Sequence, residues 1–281
     1  MIQKSYKNNK ATLFLVSTPI GNLEDITFRA ISTLKEVFVI FAEDTRITKT
    51  LLEKYNIKKK IYSSHKYNEK QTISKIVSYL DEGKDVALVT DRGTPLISDP
   101  GSVSVREVIE KEYNVVSIPG VTAFVSALTT AGIDINNFLF YGFLSHKETT
   151  SKKELENLKR KNTVIVLYEA PHRFTKTLKN IEKVFGNIKI IISREITKYN
   201  EEIFRGTIKQ AIEEYETIKG EIVIIIDKPK EEKLDTKNLL EEVNELIKNG
   251  STKTAAIKEI SNKYNISKNK IYNEVQKEGE L

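Results

Sequence analysis

Asp85-Val86-Ala87-Leu88-Val89, followed by Thr90-Asp91-Arg92-Gly93-Thr94-Pro95-Leu96-Ile97-Ser98-Asp99-Pro100-Gly101, is the stretch on which the fold turns. The first residues are an apolar run with the look of a buried strand. The next twelve hold two Gly and two Pro and can continue neither strand nor helix. Ser102 to Lys111 then reads as a helix. Strand, polar turn and helix make one unit of an α/β fold. The turn at the carboxyl end of a buried strand is where such folds place ligands. This turn offers two carboxylates, Asp91 and Asp99, and several peptide N–H groups, which suits a small polar cofactor.

The same pattern repeats outward from this stretch. Strands are expected at Leu13–Ser17, Val37–Ala42, Val86–Thr90, Val115–Ile118, Phe138–Phe143, Thr163–Tyr168, Ile188–Ser193 and Glu221–Asp227. Helices are expected at Ile26–Lys35, Thr45–Tyr55, Gln71–Glu82, Ser102–Lys111, Thr122–Thr130, Lys152–Lys161, Phe174–Phe185 and Ile208–Thr217. Alternation of this kind argues for an α/β class with largely parallel strands, because parallel neighbours need crossover connections. Pro119-Gly120 lies between a strand and a helix near the middle of this region. It places a boundary between an N-terminal α/β domain, 1–119, and a second α/β domain, 120–230. From Lys228-Pro229-Lys230 the strand pattern stops. Leu239–Lys248, Lys253–Tyr264 and Lys268–Gln276 read as amphipathic helices of a third part, 231–281. The last two, joined by Asn265-Ile266-Ser267, have helix-turn-helix character. Six Lys against two Glu between Ser251 and Lys277 make this part basic. A solvated face and a nucleic-acid surface explain that excess about equally well.

Composition narrows the chemistry. The 281 residues contain 45 Lys+Arg and 39 Asp+Glu, a net charge of +6. The excess permits a nucleic-acid partner without requiring one. There is no Cys, which removes disulfides and thiolate metal sites. His65, His146 and His172 are the three histidines, and none has the spacing of a histidine-bound catalytic metal, so no metal is expected. No apolar run approaches the ~20 residues of a membrane span, and the first residues lack a signal-peptide core. A cytoplasmic protein without a membrane partner is expected.

Five polar turns carry the candidate chemistry. Ser17-Thr18-Pro19-Ile20-Gly21-Asn22-Leu23-Glu24-Asp25 reads as a βα loop with Asn22 or Asp25 as a helix cap. In Ala42-Glu43-Asp44-Thr45-Arg46, the acids favour a helix start, while Arg46 beside them suits a polar substrate. Thr90–Gly101 is the third. Ile118-Pro119-Gly120-Val121-Thr122-Ala123 offers N–H groups at a helix start. Tyr168-Glu169-Ala170-Pro171-His172-Arg173, echoed by Ser193-Arg194-Glu195-Ile196-Thr197-Lys198, crowds groups that are costly to bury without partners. It reads either as a salt-bridged interface or as a site for a hydroxyl and a phosphate.

Taken in order, Thr-Pro-Ile-Gly-Asn (18–22), Glu-Asp-Thr-Arg (43–46), Gly-Thr-Pro-Leu-Ile-Ser-Asp-Pro-Gly (93–101), Glu-Ala-Pro-His-Arg (169–173) and Arg-Glu-Ile-Thr-Lys (194–198) resemble the tetrapyrrole methylase superfamily. Within it they resemble the 16S ribosomal RNA (cytidine-2′-O)-methyltransferases. The resemblance runs from about Thr12 to Asp227, and the C-terminal helices resemble that family's helical extension. It implies two α/β domains of the tetrapyrrole methylase type, S-adenosyl-L-methionine in the cleft between them, and a homodimer. The implied reaction is methyl transfer to a cytidine ribose 2′-hydroxyl of 16S rRNA in the small ribosomal subunit. Four positions depart from the family pattern. Arg92 stands where a small residue is usual, so it either crowds the cofactor pocket or points outward to a phosphate. Ser145 replaces a Pro, Ala170 a Ser, and Val121-Thr122-Ala123 stands for Pro-Ser-Ala.

The resemblance maps cofactor contacts onto Pro19, Asp91, Thr94, Thr122, Ala123 and Leu167, with Gly93 in the turn and Glu221 near the far end of the cleft. On the substrate side it points to Asp25, Asp44, Arg46, Glu169, His172, Arg173 and Lys198. Asp44, Glu169 and His172 form the catalytic group, with Asp44 or Glu169 as acceptor of the hydroxyl proton. Arg46, Arg173 and Lys198 are the phosphate-holding set, and Asp25 completes the substrate side. Two rivals remain, a methyltransferase acting on a tetrapyrrole ring and a non-catalytic RNA-binding ribosome assembly factor. The basic loops and tail weigh against the first, the intact Asp91, Gly93, Thr94 and Pro95 against the second.

Overall fold

The computed structural model describes residues 2–5, 7–65, 68–228, 236–264 and 268–278. Its elements run β1 (Thr12–Val16), α1 (Phe28–Glu36), β2 (Val39–Ala42), α2 (Thr45–Lys54), β3 (Lys60–Ser63), α3 (Glu69–Asp81), β4 (Val86–Val89), α4 (Ser102–Glu110) and β5 (Asn114–Ile118). They continue with α5 (Ala123–Thr129), β6 (Phe138–Phe143), α6 (Glu148–Lys159), β7 (Val164–Glu169), α7 (Phe174–Phe185), β8 (Lys189–Arg194), β9 (Glu202–Thr207), α8 (Ile208–Glu214) and β10 (Ile222–Ile226). Helices α9 (Thr236–Lys248), α10 (Lys253–Tyr264) and α11 (Lys268–Glu278) complete the chain.

The first sheet has the order β3-β2-β4-β1-β5, and every pairing is parallel. Its strands β2 and β4 are buried throughout, as a sheet covered on both faces requires. One cluster built on Leu34, Ile40 and Ile118 packs beneath α1 and α2, and another on Phe41, Ile76 and Leu80 beneath α3. Register decides where the loops emerge. Ala42 pairs with Val89, Val89 with Val16, and Val16 with Ile118. The four carboxyl ends therefore stand in one row, and the loops after them open on the same edge.

The second sheet has the order β6-β7-β10-β8-β9. Only β6 and β7 pair in parallel; β10 runs antiparallel to both β7 and β8, and β8 antiparallel to β9. The expectation of largely parallel strands is thus corrected here. The crossover helices are present, but β10 inserts between β7 and β8 from the opposite direction, and order within a sheet leaves no trace in a simple strand–helix alternation. Residues 195–201 are also too few for a crossover, so β8 and β9 form a hairpin. Strands β3 and β9 were not anticipated. Both are edge strands, rich in polar residues, without the apolar run of their neighbours. The cluster around Phe174, Leu178, Ile192 and Ile224 lies under α6, α7 and α8, and that around Ala127, Val166 and Ile225 under α5.

The chain divides into two compact units, Met1–Lys228 and Pro229–Leu281. In the second unit α9, α10 and α11 close over Val243, Ala256, Ile257, Ile260 and Ile271. Lys263 pairs with Glu242 at 2.8 Å. The turn Asn265-Ile266-Ser267 lies outside the described residues. No described helix is long and apolar enough to cross a membrane.

Candidate active site

The row of carboxyl ends in the first sheet meets the Glu169 end of β7 and the start of β10 in the second. Ile222 pairs with both Glu169 and Arg194, so Glu221 and the loops after β7 and β8 share one edge. Between these edges lies a cavity of about 510 Å³, within the usual range for a small-molecule site. Its walls mix apolar side chains (Ile20, Ile97, Val223) with Thr90, Asp91, Thr94, Asp99, Thr122, Tyr168 and Glu221. A second cavity of about 530 Å³ adjoins it and shares Ile47, Thr90, Asp91 and Arg92.

The loop after β4 is held against β1. Thr18 and Gly93 exchange two backbone hydrogen bonds, at 2.9 and 3.0 Å. Gly93 adopts a φ of 85°, a conformation that disfavours a side chain. Thr94 Oγ1 lies 3.1 Å from Ser17 Oγ and 2.8 Å from Thr122 Oγ1, a chain of hydroxyls across the loops after β1, β4 and β5. On the other side, a Cβ on Gly21 would come within 2.5 Å of Lys198 Cγ, so only glycine lets the loop after β1 approach the loop after β8 this closely.

Asp91 Oδ1 accepts the Asp44 backbone N–H at 2.8 Å, and burial raises its carboxyl above the usual range. Asp99 goes further. Burial pushes it up to about 6, nearby Glu43 and Asp91 add to the shift, and Thr90 opposes it. Thr90 Oγ1 lies 2.8 Å from Asp99 Oδ2 and 3.0 Å from Glu43 Oε2. A hydroxyl has one proton to give, so the second of these contacts is favourable only when the carboxyl brings its own. From the opposite wall, Tyr168 receives the Phe124 N–H at 3.3 Å, and burial holds its phenol at about 12. It remains a neutral donor beside Asp99.

Of the cofactor residues expected from sequence, Asp91, Gly93, Thr94, Thr122, Ala123 and Glu221 line the first cavity and Pro19 the second. Leu167 does not. Its strand position turns it into the core with Phe174 and Leu178, and it is fully buried there. Arg92 lines both cavities rather than pointing outward. It reaches across the cleft to Glu221, whose other oxygen pairs with Lys198 at 2.9 Å, and Lys198 also holds Glu195 at 2.7 Å.

The catalytic candidates fare differently. Asp44 caps α2 and is gripped by Arg46 at 2.6 Å, which holds its carboxyl at about 2 and makes it a feeble base. Glu169 lines the cavity, but its carboxylate accepts from Ala170 N at 2.8 Å and from Thr177 and meets Arg173 Nε at 3.4 Å, with a side chain only 1% exposed. His172 is exposed and lines neither cavity. Arg173 donates to the carbonyls of Leu144 and Ser145 at 2.8 and 3.3 Å and braces Glu169, all within the same sheet and its loops, so its guanidinium is engaged internally. Asp25 lies in a 3-10 turn away from both cavities, with a buried Oδ2 that has no partner. Arg46, the remaining phosphate candidate, is paired with Asp44 but has a side chain 89% exposed. Sequence reasoning passed over Asp99, Glu43 and Tyr168. Asp99 stood in the opening stretch, but only the fold shows that it is half-buried and faces Thr90.

The family model "Tetrapyrrole (Corrin/Porphyrin) Methylases" matches residues 12–212. Ribosomal RNA small subunit methyltransferase I of Bacillus subtilis is 41% identical over 275 residues, 95% of this chain and 94% of that protein. The chain belongs to this family. The same-named protein of Thermotoga maritima is 44% identical over 216 residues, 76% of this chain and 97% of its own length. Among solved structures, diphthine synthase superposes with a TM-score of 0.64 at 13% identity (78% of this chain, 90% of that one). Cobalt precorrin-4 methyltransferase superposes with a TM-score of 0.59 at 18% identity (76% and 94%). These likenesses carry the tetrapyrrole methylase fold, and the two sheets with a cleft between them are that fold. Among the described residues, no group of His, Asp or Glu is arranged to hold a metal ion.

Proposed function

We propose that this protein is an S-adenosyl-L-methionine-dependent methyltransferase that methylates the ribose 2′-hydroxyl of a cytidine in 16S rRNA of the small ribosomal subunit. The observation that carries this reading is the near full-length match to ribosomal RNA small subunit methyltransferases I. The alternatives, a tetrapyrrole substrate or a non-catalytic assembly factor, have no comparable support.

The cavity fits the cofactor chemically. Asp91 and its acidic neighbours suit a cationic ligand, the Ser17–Thr94–Thr122 hydroxyls and adjoining N–H groups suit a carboxylate or ribose, and Ile20, Ile97 and Val223 suit an adenine face. When bound, S-adenosylmethionine supplies a methyl group on a sulfonium, and the sulfur keeps the electron pair as the methyl leaves. The residues must align the ribose oxygen with that methyl and accept the hydroxyl proton. Asp99 is the acceptor in this reading, in place of Asp44 or Glu169. Its carboxyl titrates near neutrality, faces the cavity, and is oriented by Thr90. As oxygen bonds to the methyl carbon, the proton passes to Asp99 and from there to water. Tyr168 donates from the opposite wall.

A homodimer in the cytoplasm belongs to the same reading. Exposed apolar side chains such as Phe28, Val125, Phe138 and Phe143 favour a self-association surface, and light scattering would report it. The decisive experiment is transfer of labelled methyl to 30S particles, naked 16S rRNA and a tetrapyrrole, with ribose mapping of the product. Label in the 2′-O-methyl of a cytidine is expected. Label only in a tetrapyrrole, or none despite cofactor binding, would overturn the reading.

A further inference from the structure

A second feature lies outside the cleft. Helix α2 and the edge strand β3 border a groove of about 710 Å³. Arg46 and Lys49 line it from the helix, Lys58, Lys59 and Lys60 from the approach to the strand, and Glu53 is the one acid on its walls.

Lysines on an edge strand have a plain explanation, since they deter pairing with another chain. That accounts for Lys60 and its neighbours. It does not account for Arg46 and Lys49, which belong to a helix and face the same groove. Arg46 is paired with Asp44 at 2.6 Å, but the lysines are less engaged. Lys58 is exposed and makes no ion pair or hydrogen bond among the described residues. The Lys49–Glu53 contact is long, at 3.8 Å, between side chains 71% and 66% exposed. Lys60 stands 5.0 Å from the Tyr62 ring, with no carboxylate. Among these lysines, Lys59 is bonded to the Val37 carbonyl at 2.5 Å and Lys60 is engaged by Tyr62.

The position of the groove matters as much as its charge. It begins at Arg46 in the first turn of α2, and the preceding Asp44 donates its N–H to Asp91 of the cofactor cavity. From Arg46 the helix carries the groove roughly 12 Å away from the cleft, at about 1.5 Å per residue. A line of exposed cations leading out of a cleft, with Arg46 paired to Asp44 at its near end, fits a polyanion with evenly spaced charges. Within the cleft, Arg173 and Lys198 are already occupied by Glu169, Glu195 and Glu221, so the RNA backbone must be held elsewhere.

We infer that this groove is the track for the single-stranded RNA backbone on its way to the cleft, with Arg46, Lys49, Lys58 and Lys60 as its phosphate contacts. The inference rests on the RNA-methyltransferase reading. Phosphate contacts of this kind are non-specific in sequence and strongly salt-dependent.

The test compares the full chain with Lys58→Gln/Lys60→Gln, and with Lys58→Arg/Lys60→Arg as the conservative control. The probe is a mixed-sequence single-stranded RNA, titrated by fluorescence anisotropy across a salt series. Each lost phosphate contact lowers the slope of log affinity against log salt by about 0.7, so the glutamine pair should lower it by about 1.4. Affinity at moderate salt should fall roughly tenfold, taking about threefold per exposed charge. The arginine pair should retain both. Cofactor affinity and the rate of methyl transfer at saturating 30S should not change, while the KM for 30S rises. Unchanged slope and affinity in the glutamine pair would overturn the inference, as would loss of RNA binding with loss of folded structure in Lys58→Glu, which would mean a structural role. A wild type that binds RNA with the full salt slope yet methylates no rRNA would sink the functional reading and leave the groove standing.

Discussion

The two sheets contribute to one cleft by opposite means. In the first, four parallel strands end in the same row, and each releases a loop whose backbone and short side chains can be brought together: Ser17, Thr18, Glu43, Thr90, Asp91, Thr122. In the second, antiparallel β10 sets its start beside the end of β7, so the wall comes from strand residues themselves: Tyr168, Glu169, Ile222, Val223. The difference teaches a division of labour. Loops off the parallel sheet carry the groups that can titrate in the cavity. The mixed sheet supplies a rigid wall, and its charged residues, Glu169 with Arg173 and Glu221 with Lys198, are bound to one another.

The largest effect that could break this division is on catalysis. Asp99→Asn should lower kcat on the order of 10²–10³-fold, the range for a positioned general base, with cofactor affinity nearly intact. The wild-type rate should fall as pH drops through about 6, and the variant should lose that limb. Glu169→Gln, on the wall, should keep the limb; if it alone abolished it, the assignment of chemistry to the parallel sheet would be wrong.

Next comes stability. Arg173→Ala leaves a buried carboxylate without its cation and should cost about 2 kcal/mol in denaturant unfolding, while the salt dependence of RNA binding stays as it was. A reduced salt slope would return Arg173 to the phosphate contacts.

A smaller stability effect has the opposite sign. Asp99 titrates higher in the fold than in the unfolded chain, so the fold favours its protonated form. That contribution is complete below the ordinary value of 3.8 and is lost as pH rises from there through about 6. Asp99→Asn should therefore be more stable than wild type at pH 8, by about 1 kcal/mol once partial exposure is allowed for, and equal to it at about pH 3, below the ordinary value of 3.8. A variant stabilised equally at both would show that burial is not what raises the carboxyl.

The smallest effect concerns the crossing between the sheets. Arg92 and Glu221 are each about half exposed, at 49% and 53%. Arg92→Ala should speed cofactor release by less than about fivefold and change stability by under about 1 kcal/mol. Stopped-flow fluorescence would measure the first and thermal melting the second.

Much of this was legible in the chain. All eight expected strands and all eight α/β helices are present, because each carries its own apolar period, and their ends shift by at most a few residues. Six of the eight residues expected to meet the cofactor line the first cavity, since turn chemistry is local and Gly93, Thr94 and Thr122 announce it. What failed was non-local. Nothing in Leu167 tells which face of β7 it occupies until the neighbouring helices are placed. The partners of Arg173 lie 28 and 29 residues back, at Ser145 and Leu144. Asp99 looks like any turn acid until burial, with Glu43 and Asp91 close by, pushes it up to about 6.

The loops that face each other across the cleft share a backbone oddity. Leu96 and Ser98 lie in the left-handed region at φ of 72° and 68°, as do Glu195 and Thr197 at 52° and 68°. Side-chain-bearing residues held there cost on the order of 1–3 kcal/mol each, and the surrounding fold must hold them in place. The consequence is evolutionary. Replacing Ser98 or Thr197 with Gly or Asn would relax the backbone and offer a route to a hardier protein, and every step along it would loosen the loops that shape the cleft. Selection for thermal tolerance and selection for turnover would pull these four positions in different directions.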